Sequence, residues 1–226
     1  MSTPPSRQRA VEPFPIAFYL GTFNPIHLGH VIFADTVRTT CGFERLVFIP
    51  AGEPPHRQGE KHMAPAADRL AMVRLAADSL GASFSVDALE VERAGPSYTV
   101  DTLAALRHRY DIPADSRIPV LMGSDALSGL ASWRSPLEVI RQVRFYQARR
   151  LPDGGWRRHV TIAGEHIPLE TQLVEMPTIG ISSSLIRERL REGRSIRWLV
   201  LPEVENYLTQ QGLYAAKAPE SSSPAS

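Results

Sequence analysis

The residues best suited to chemistry lie in two short stretches, GTFNPIHLGH at 21–30 and GISSSLIRERL at 180–190. In the first, His27 and His30 are spaced i, i+3, which on a helix places both imidazoles on one side, and Gly29 between them leaves that side room for a ligand. Gly21 lets the backbone turn without a Cβ, so neighbouring amides can come close to an anion. Asn24 is a good helix N-cap and Pro25 suits the first helical position, where the amide it lacks would be unpaired anyway, so a helix is expected to start there. Three readings fit this stretch alone. It could be a capped helix with two surface histidines, a metal pair, or a phosphate cradle in which the anion draws each imidazole toward its charged, strongly donating form. The metal reading is the weaker one, because the carboxylate nearest at ligand spacing, Asp35, lies off that face.

The second stretch opens with three hydroxyls, Ser182 to Ser184, ahead of an amphipathic run. They can cap a helix and donate to an anion at its positive end, with Arg187 one turn in. Taken alone it reads as a well-capped helix with Arg187, Arg189 and Arg191 on the wet face. Together the two stretches supply two helix N-termini, two histidines and an arginine, an inventory suited to a triphosphate.

Other elements must bring these stretches together. FPIAFYL (14–20), LVFIPA (46–51) and RIPVLMG (117–123) are near-continuously apolar, as strands buried on both faces should be. Further strands are expected at VRFYQAR, HVTIAG and TQLVEMP. Helices are expected at VIFADTV, DRLAMVRLAADSL, YTVDTLAALRHRY, SPLEVIRQV, SSSLIRERLREG and PEVENYLTQQG. Strands alternating with helices imply a doubly wound, Rossmann-like α/β fold, a parallel sheet with helices on both faces, in which ligands sit at the carboxyl ends of the strands. GTFNPIHLGH follows the first strand directly, where such folds build a phosphate site.

The 226 residues suffice for one large domain, taken as 14–214. The flanks 1–13 and 215–226 are small, polar and proline-containing, and are expected to be disordered tails. A formal charge of +1 gives no global field, so neither nucleic acid nor a membrane surface is expected as a partner and any phosphate-binding charge must be local. The single cysteine, Cys41, cannot form an intramolecular disulfide, which fits a reducing cytoplasm and a buried structural thiol. No apolar run reaches the roughly 18 residues of a membrane span, and no signal-peptide pattern opens the chain, so a soluble cytoplasmic protein is expected. Oligomeric state is not readable, and a homo-oligomer stays open.

These residues resemble the nucleotidylyltransferase superfamily, whose signatures are a His-x-Gly-His loop and a late Ile-Ser-Ser-Thr-x-x-Arg helix start; here they read HLGH and ISSSLIR. Within it the chain is similar to the bacterial nicotinate-nucleotide adenylyltransferases from about Phe18 to Tyr214. Supporting blocks are FIPAGEPPHR, RAGPSYTVDTL, MGSDALSGLASW and IRWLVLPEVENYLTQQGLY. The resemblance implies attack of nicotinate mononucleotide on the α-phosphorus of ATP, giving deamido-NAD and pyrophosphate, with Mg2+ accompanying ATP. It implies His30 at the α-phosphate, His27 nearer the β- and γ-phosphates, and Gly21, Thr22 and Phe23 as the loop whose backbone receives ATP. It also implies Ser182, Ser183 and Arg187 on the triphosphate, and Gly123 and Asp125 at the ATP ribose. His56 and Arg57 are implied at the mononucleotide phosphate, and Tyr98, Thr99 and Trp133 in the nicotinate pocket.

The bland readings of these last groups are a solvated turn for 52–61, a helix N-cap for Asp125 and a core tryptophan for Trp133. Leu20, Asn24, Ser124 and Gly180 depart from the residues usual in that family, which often has Gly, Asp, Ala and Asp there. Two other functions stay open from the sequence: an enzyme that prefers or equally uses the amide mononucleotide, and a nucleotide-binding regulator without catalysis. A zinc hydrolase is a more remote reading.

Overall fold

Residues 14–55, 62–149 and 157–216 are described in a computed structural model. In chain order the elements are β1 (Ile16–Gly21), α1 (Leu28–Cys41), β2 (Arg45–Pro50), α2 (Ala66–Leu80), β3 (Phe84–Val86), α3 (Leu89–Glu92), α4 (Thr99–Arg109) and β4 (Ile118–Leu121). Then follow α5 (Ser124–Ser128), α6 (Pro136–Gln142), β5 (Val143–Arg149), β6 (His159–Ile162), β7 (Glu165–Pro168), β8 (Thr171–Glu175), α7 (Ser183–Arg191) and α8 (Pro202–Gln210).

The apolar runs become strands because both faces of the sheet are covered. β2 is buried from Leu46 to Pro50 and all four residues of β4 are buried. Six strands pair in the order β3-β2-β1-β4-β5-β8, all parallel. Two apolar clusters are built on this sheet. One unites Tyr19, Phe48 and Tyr146 with α1, α2 and α8, and the other unites Phe18, Val47 and Phe145 with α4 and α6. The chain leaves β1 toward β2 and β3, then returns to lay β4 on the other side of β1. The order therefore reverses at β1/β4, and in such sheets the crevice at the reversal is the ligand site.

The expected doubly wound fold is present as a single domain, with two local differences. HVTIAG forms a strand, but β6 pairs antiparallel with β7 as a separate hairpin outside the main sheet. The short β3, β7, α3 and α5 were not expected. The expected tails fall on 1–13 and 217–226, outside the described residues, apart from Ala215 and Ala216. Cys41 is buried, as expected of a structural thiol. Among the described residues no helix is long and apolar enough to cross a membrane.

Candidate active site

The segment after β1 turns back on itself at Phe23, whose φ is 50°. Its ring is 2% exposed and packs edge-on against Tyr19 and Phe48. A Cβ on Gly21 would stand 2.8 Å from that ring, so glycine is required here for Phe23 to fold inward. Thr22, beside it, lines a cavity next to this turn.

The helix expected to begin at Pro25 begins instead at Leu28, with His27 as N-cap. Asn24 does not cap it, because its side chain is drawn elsewhere. Nδ2 donates to the His62 carbonyl at 3.1 Å, while Oδ1 accepts from the Ala64 N–H at 3.0 Å and from the Tyr214 hydroxyl. At 2% exposure, Asn24 is a buried clasp joining this turn, the segment before α2 and the end of the fold. Burial pushes the Tyr214 phenol above its ordinary value while Arg187 and Arg69 pull it down, and the net effect keeps the hydroxyl a donor.

The two histidines do share one side. Their rings stack with centroids 3.7 Å apart at 30°, and the His27 N–H donates to His30 Nδ1 at 3.2 Å. In the neutral ring that bond makes Nδ1 the acceptor and places the proton on Nε2. A Cβ on Gly29 would approach the His27 ring to 3.0 Å, so this glycine makes room for the imidazole itself.

Helix α7 is fastened to the same turn. Ser182 caps it by accepting from the Leu185 N–H at 3.2 Å, and Ser183 Oγ donates to the Pro25 carbonyl at 2.9 Å. Arg187 donates to the Asn24 carbonyl at 2.8 Å and to Ser184 Oγ at 3.2 Å. The fold thus brings the expected histidines, serines and arginine together. The positive ends of α1 and α7 meet at one turn.

Beside this turn lies a cavity of about 460 Å³, lined by Gly21 and Thr22 on one wall and by Tyr98, Thr99 and Trp133 on another. Tyr98 is the N-cap of α4, so the first amides of that helix belong to the wall. Trp133 follows a 3-10 turn at Leu130–Ser132. The lining residues not singled out in the sequence include Glu90, Ser97 and Arg134. The Arg134 guanidinium sits 4.8 Å from the Tyr98 ring centroid and 3.4 Å from an Asp101 carboxylate oxygen. Glu90 is 5% exposed and accepts from Thr102 at 2.6 Å. Burial raises its carboxyl above the usual range, against hydrogen bonds from Thr102, Ser97 and Gly52 and the Arg93 charge.

Gly123, just past β4, is the N-cap of α5, so Asp125 lies inside that helix and is not its cap. His56 and Arg57 lie outside the described residues; they follow Pro54 and Pro55, which line the cavity. Among the described residues no group of three or more histidine, cysteine, aspartate or glutamate side chains converges to hold a metal ion. Asn24 Oδ1, the side-chain oxygen nearest the histidine turn in sequence, is taken by Ala64 and Tyr214.

Comparison with known proteins agrees with this geometry. Residues 18–189 match the family model described as cytidylyltransferase-like. A probable nicotinate-nucleotide adenylyltransferase of Synechococcus sp. (strain JA-3-3Ab) is 36% identical over 215 residues, covering 95% of this chain and 99% of the relative. Another of the same description, from Dehalococcoides mccartyi (strain CBDB1), is 37% identical over 87% of this chain and 95% of its own. Among solved structures, the nicotinic acid mononucleotide adenylyltransferase of Plasmodium falciparum complexed with NaAD superposes with a TM-score of 0.68. It is 17% identical and covers 88% of this chain and 96% of that one, a likeness of fold. The chain belongs to the cytidylyltransferase-like family and, within it, to the nicotinate-nucleotide adenylyltransferases.

Proposed function

We propose that the protein joins the AMP moiety of ATP to nicotinate mononucleotide, forming deamido-NAD and releasing pyrophosphate, as a cytoplasmic step of NAD biosynthesis. The observation that carries this reading is the fastening of Ser183 and Arg187 onto the Asn24–Pro25 turn. It gathers hydroxyls, a guanidinium, two imidazoles and two helix N-termini at the turn that follows Gly21 and Thr22, which line the cavity that Trp133 also lines.

The triphosphate lies across that turn. The backbone of Gly21, Thr22 and Phe23 receives ATP, and Gly123 and Asp125 lie on its ribose side. A mononucleotide phosphate oxygen attacks the α-phosphorus in line, a new P–O bond forms, and the bond to the bridging oxygen of pyrophosphate breaks. His30 donates from Nε2 to the α-phosphate oxygens, where charge builds, and His27, Ser182, Ser183 and Arg187 take up the charge of the departing pyrophosphate. Ser182 Oγ caps α7 and Ser183 Oγ holds the Pro25 carbonyl, so Ser183 meets the phosphate through its N–H at the start of the helix. Magnesium accompanying ATP would be held chiefly by the triphosphate and would supply charge neutralisation there.

In the cavity, Trp133 stacks on the pyridine ring while the α4 amides near Thr99 and the Arg134 charge receive its carboxylate. His56 and Arg57 take the mononucleotide phosphate. The test is pyrophosphate release from ATP and magnesium with the acid and amide mononucleotides side by side. Release with the acid supports the reading; release with neither overturns it.

A further inference from the structure

One buried charge takes no part in the site described so far. Arg69, on α2, is 1% exposed. It stands in register with Met72, Val73 and Ala76 on the apolar face of the helix, all of them fully buried. Burying a guanidinium there is costly unless its donors are satisfied. They are satisfied by main chain. Nη1 donates to the Thr22 carbonyl at 2.9 Å and to the Ala51 carbonyl, Nη2 to Gly52 at 2.7 Å, and Nε to Ala64 at 3.1 Å. Among the described residues none of its hydrogen bonds goes to a carboxylate.

Thr22 belongs to the loop after β1, and Ala51 and Gly52 to the loop after β2. These are the loops assigned above to ATP and, through Pro54 to Arg57, to the mononucleotide. In a trans peptide the carbonyl and the next N–H point opposite ways. Drawing the Thr22 oxygen toward Arg69 turns the Phe23 N–H away from it. The same rule sends the N–H groups of Gly52 and Glu53 away from Arg69, and there the Ser97 hydroxyl accepts both, at 3.1 and 3.2 Å. Ser97 is in turn hydrogen-bonded to the buried Glu90. Two consecutive peptide planes are thus held between a buried cation on one side and a buried carboxyl on the other. The packing leaves no slack: a Cβ on Gly52 would lie 2.1 Å from the Glu90 carbonyl oxygen.

We infer that Arg69 is a positioning residue that fixes the ATP loop and the mononucleotide loop to one another and sets which way their amides face. The inference rests on the adenylyltransferase reading for the identity of the two loops, and on the hydrogen bonds alone for the clamp. A lysine keeps the charge but has no planar fork to reach four carbonyls at once.

The experiment combines hydrogen exchange of the whole chain with steady-state kinetics in both substrates, for the wild type, Arg69→Lys and Ser97→Ala. In Arg69→Lys, amides of 21–24 and 51–53 should both exchange at least tenfold faster, and KM for ATP and for the mononucleotide should both rise about tenfold or more. Ser97→Ala, which touches one loop only, should speed exchange in 51–53 and leave 21–24 within twofold. If Arg69→Lys does not fold, Ser97→Ala still decides, because loosening of both loops together, or of neither, overturns the clamp. Wild-type exchange rates in either loop of a folded Arg69→Lys overturn it as well. Exchange needs no substrate, so a wild type that transfers no adenylyl group would sink the functional reading while the clamp is still judged by exchange.

Discussion

Arg187 donates from Nη1 to the main-chain oxygen of Asn24 at 2.8 Å, across more than a hundred and sixty residues of chain. The same asparagine is held through its side chain by His62, Ala64 and Tyr214. The turn carrying the two histidines is therefore tied to α7, to the approach to α2 and to the end of the fold through one residue.

Truncating that residue should be expensive. Asn24→Ala leaves a buried N–H at Ala64 and the His62 carbonyl without their partner, so a loss of about 2–3 kcal/mol is expected. Tyr214→Phe removes one hydrogen bond and should cost about 1 kcal/mol. Because the two share a bond, the double variant should lose less than the sum, by about 0.5 kcal/mol or more, in urea denaturation. Strict additivity would show that the hydroxyl contributes nothing through Asn24.

His30→Ala should lower kcat by roughly 10²-fold or more with a small change in KM, if its Nε2–H acts where charge develops. His27→Ala should also lower kcat, but less, because that ring is assigned to the departing pyrophosphate. Stopped pyrophosphate assays over a range of ATP concentrations separate the two. An effect of His30→Ala confined to KM would reassign it to uniform binding.

Much of this was legible in the sequence, and the reasons it stops are physical. Val47, Phe48 and Ile49 announce a strand because burial on both faces leaves no polar alternation. β3, only three residues long, carries too little pattern to be seen. His27, His30, Ser183 and Arg187 could be picked out by type and spacing, and the fold does bring them together. Asn24 was misjudged because its partners at Ala64 and Tyr214 are distant in sequence, while the local pattern Asn-Pro offers a convincing cap. Arg69 had a signal that went unused, a cation at i−3 and i−4 from core residues Met72 and Val73. Glu90 and Arg134 gave none, since their importance comes only from the wall they share with Trp133.

Two glycines separate packing from function. Gly52→Ala drives a Cβ into the Glu90 carbonyl, so a loss of about 3 kcal/mol or more is expected, with the loop displaced. At Gly123 a Cβ meets nothing within 4 Å and φ is −67°, so Gly123→Ala should cost no more than about 1 kcal/mol, the loss of a favourable N-cap to α5. If the nucleotide backbone passes close to Gly123, the alanine should nevertheless raise KM for ATP. An unchanged KM removes Gly123 from the ATP contacts.

Arg134 predicts a preference. Its guanidinium lies over Tyr98 at the wall shared with Trp133, where a pyridine carboxylate gains from the charge and an amide does not. Arg134→Gln should therefore reduce the ratio of kcat/KM for acid over amide mononucleotide by about fivefold to tenfold, mostly through the acid. Trp133→Ala should weaken both mononucleotides alike. A ratio untouched by Arg134→Gln would assign discrimination to the α4 amides alone.

Glu90 makes stability depend on pH in the direction opposite to most carboxylates. Burial raises its pKa above the unfolded value of about 4.3, so over that interval the native state holds a proton the unfolded state has released. The slope of unfolding free energy with pH is proportional to protons bound by the unfolded state minus those bound by the native state, and here it is negative. The Glu90 contribution is thus most favourable below about pH 4 and is lost as pH rises through the folded pKa. Glu90→Gln removes this titration while keeping a polar group for Thr102 and Ser97. Measured by urea denaturation between about pH 4 and pH 8, the stability of the glutamine variant relative to the wild type should climb with pH; a flat difference would show that the fold does not shift Glu90, and a falling one that it stabilises the anion.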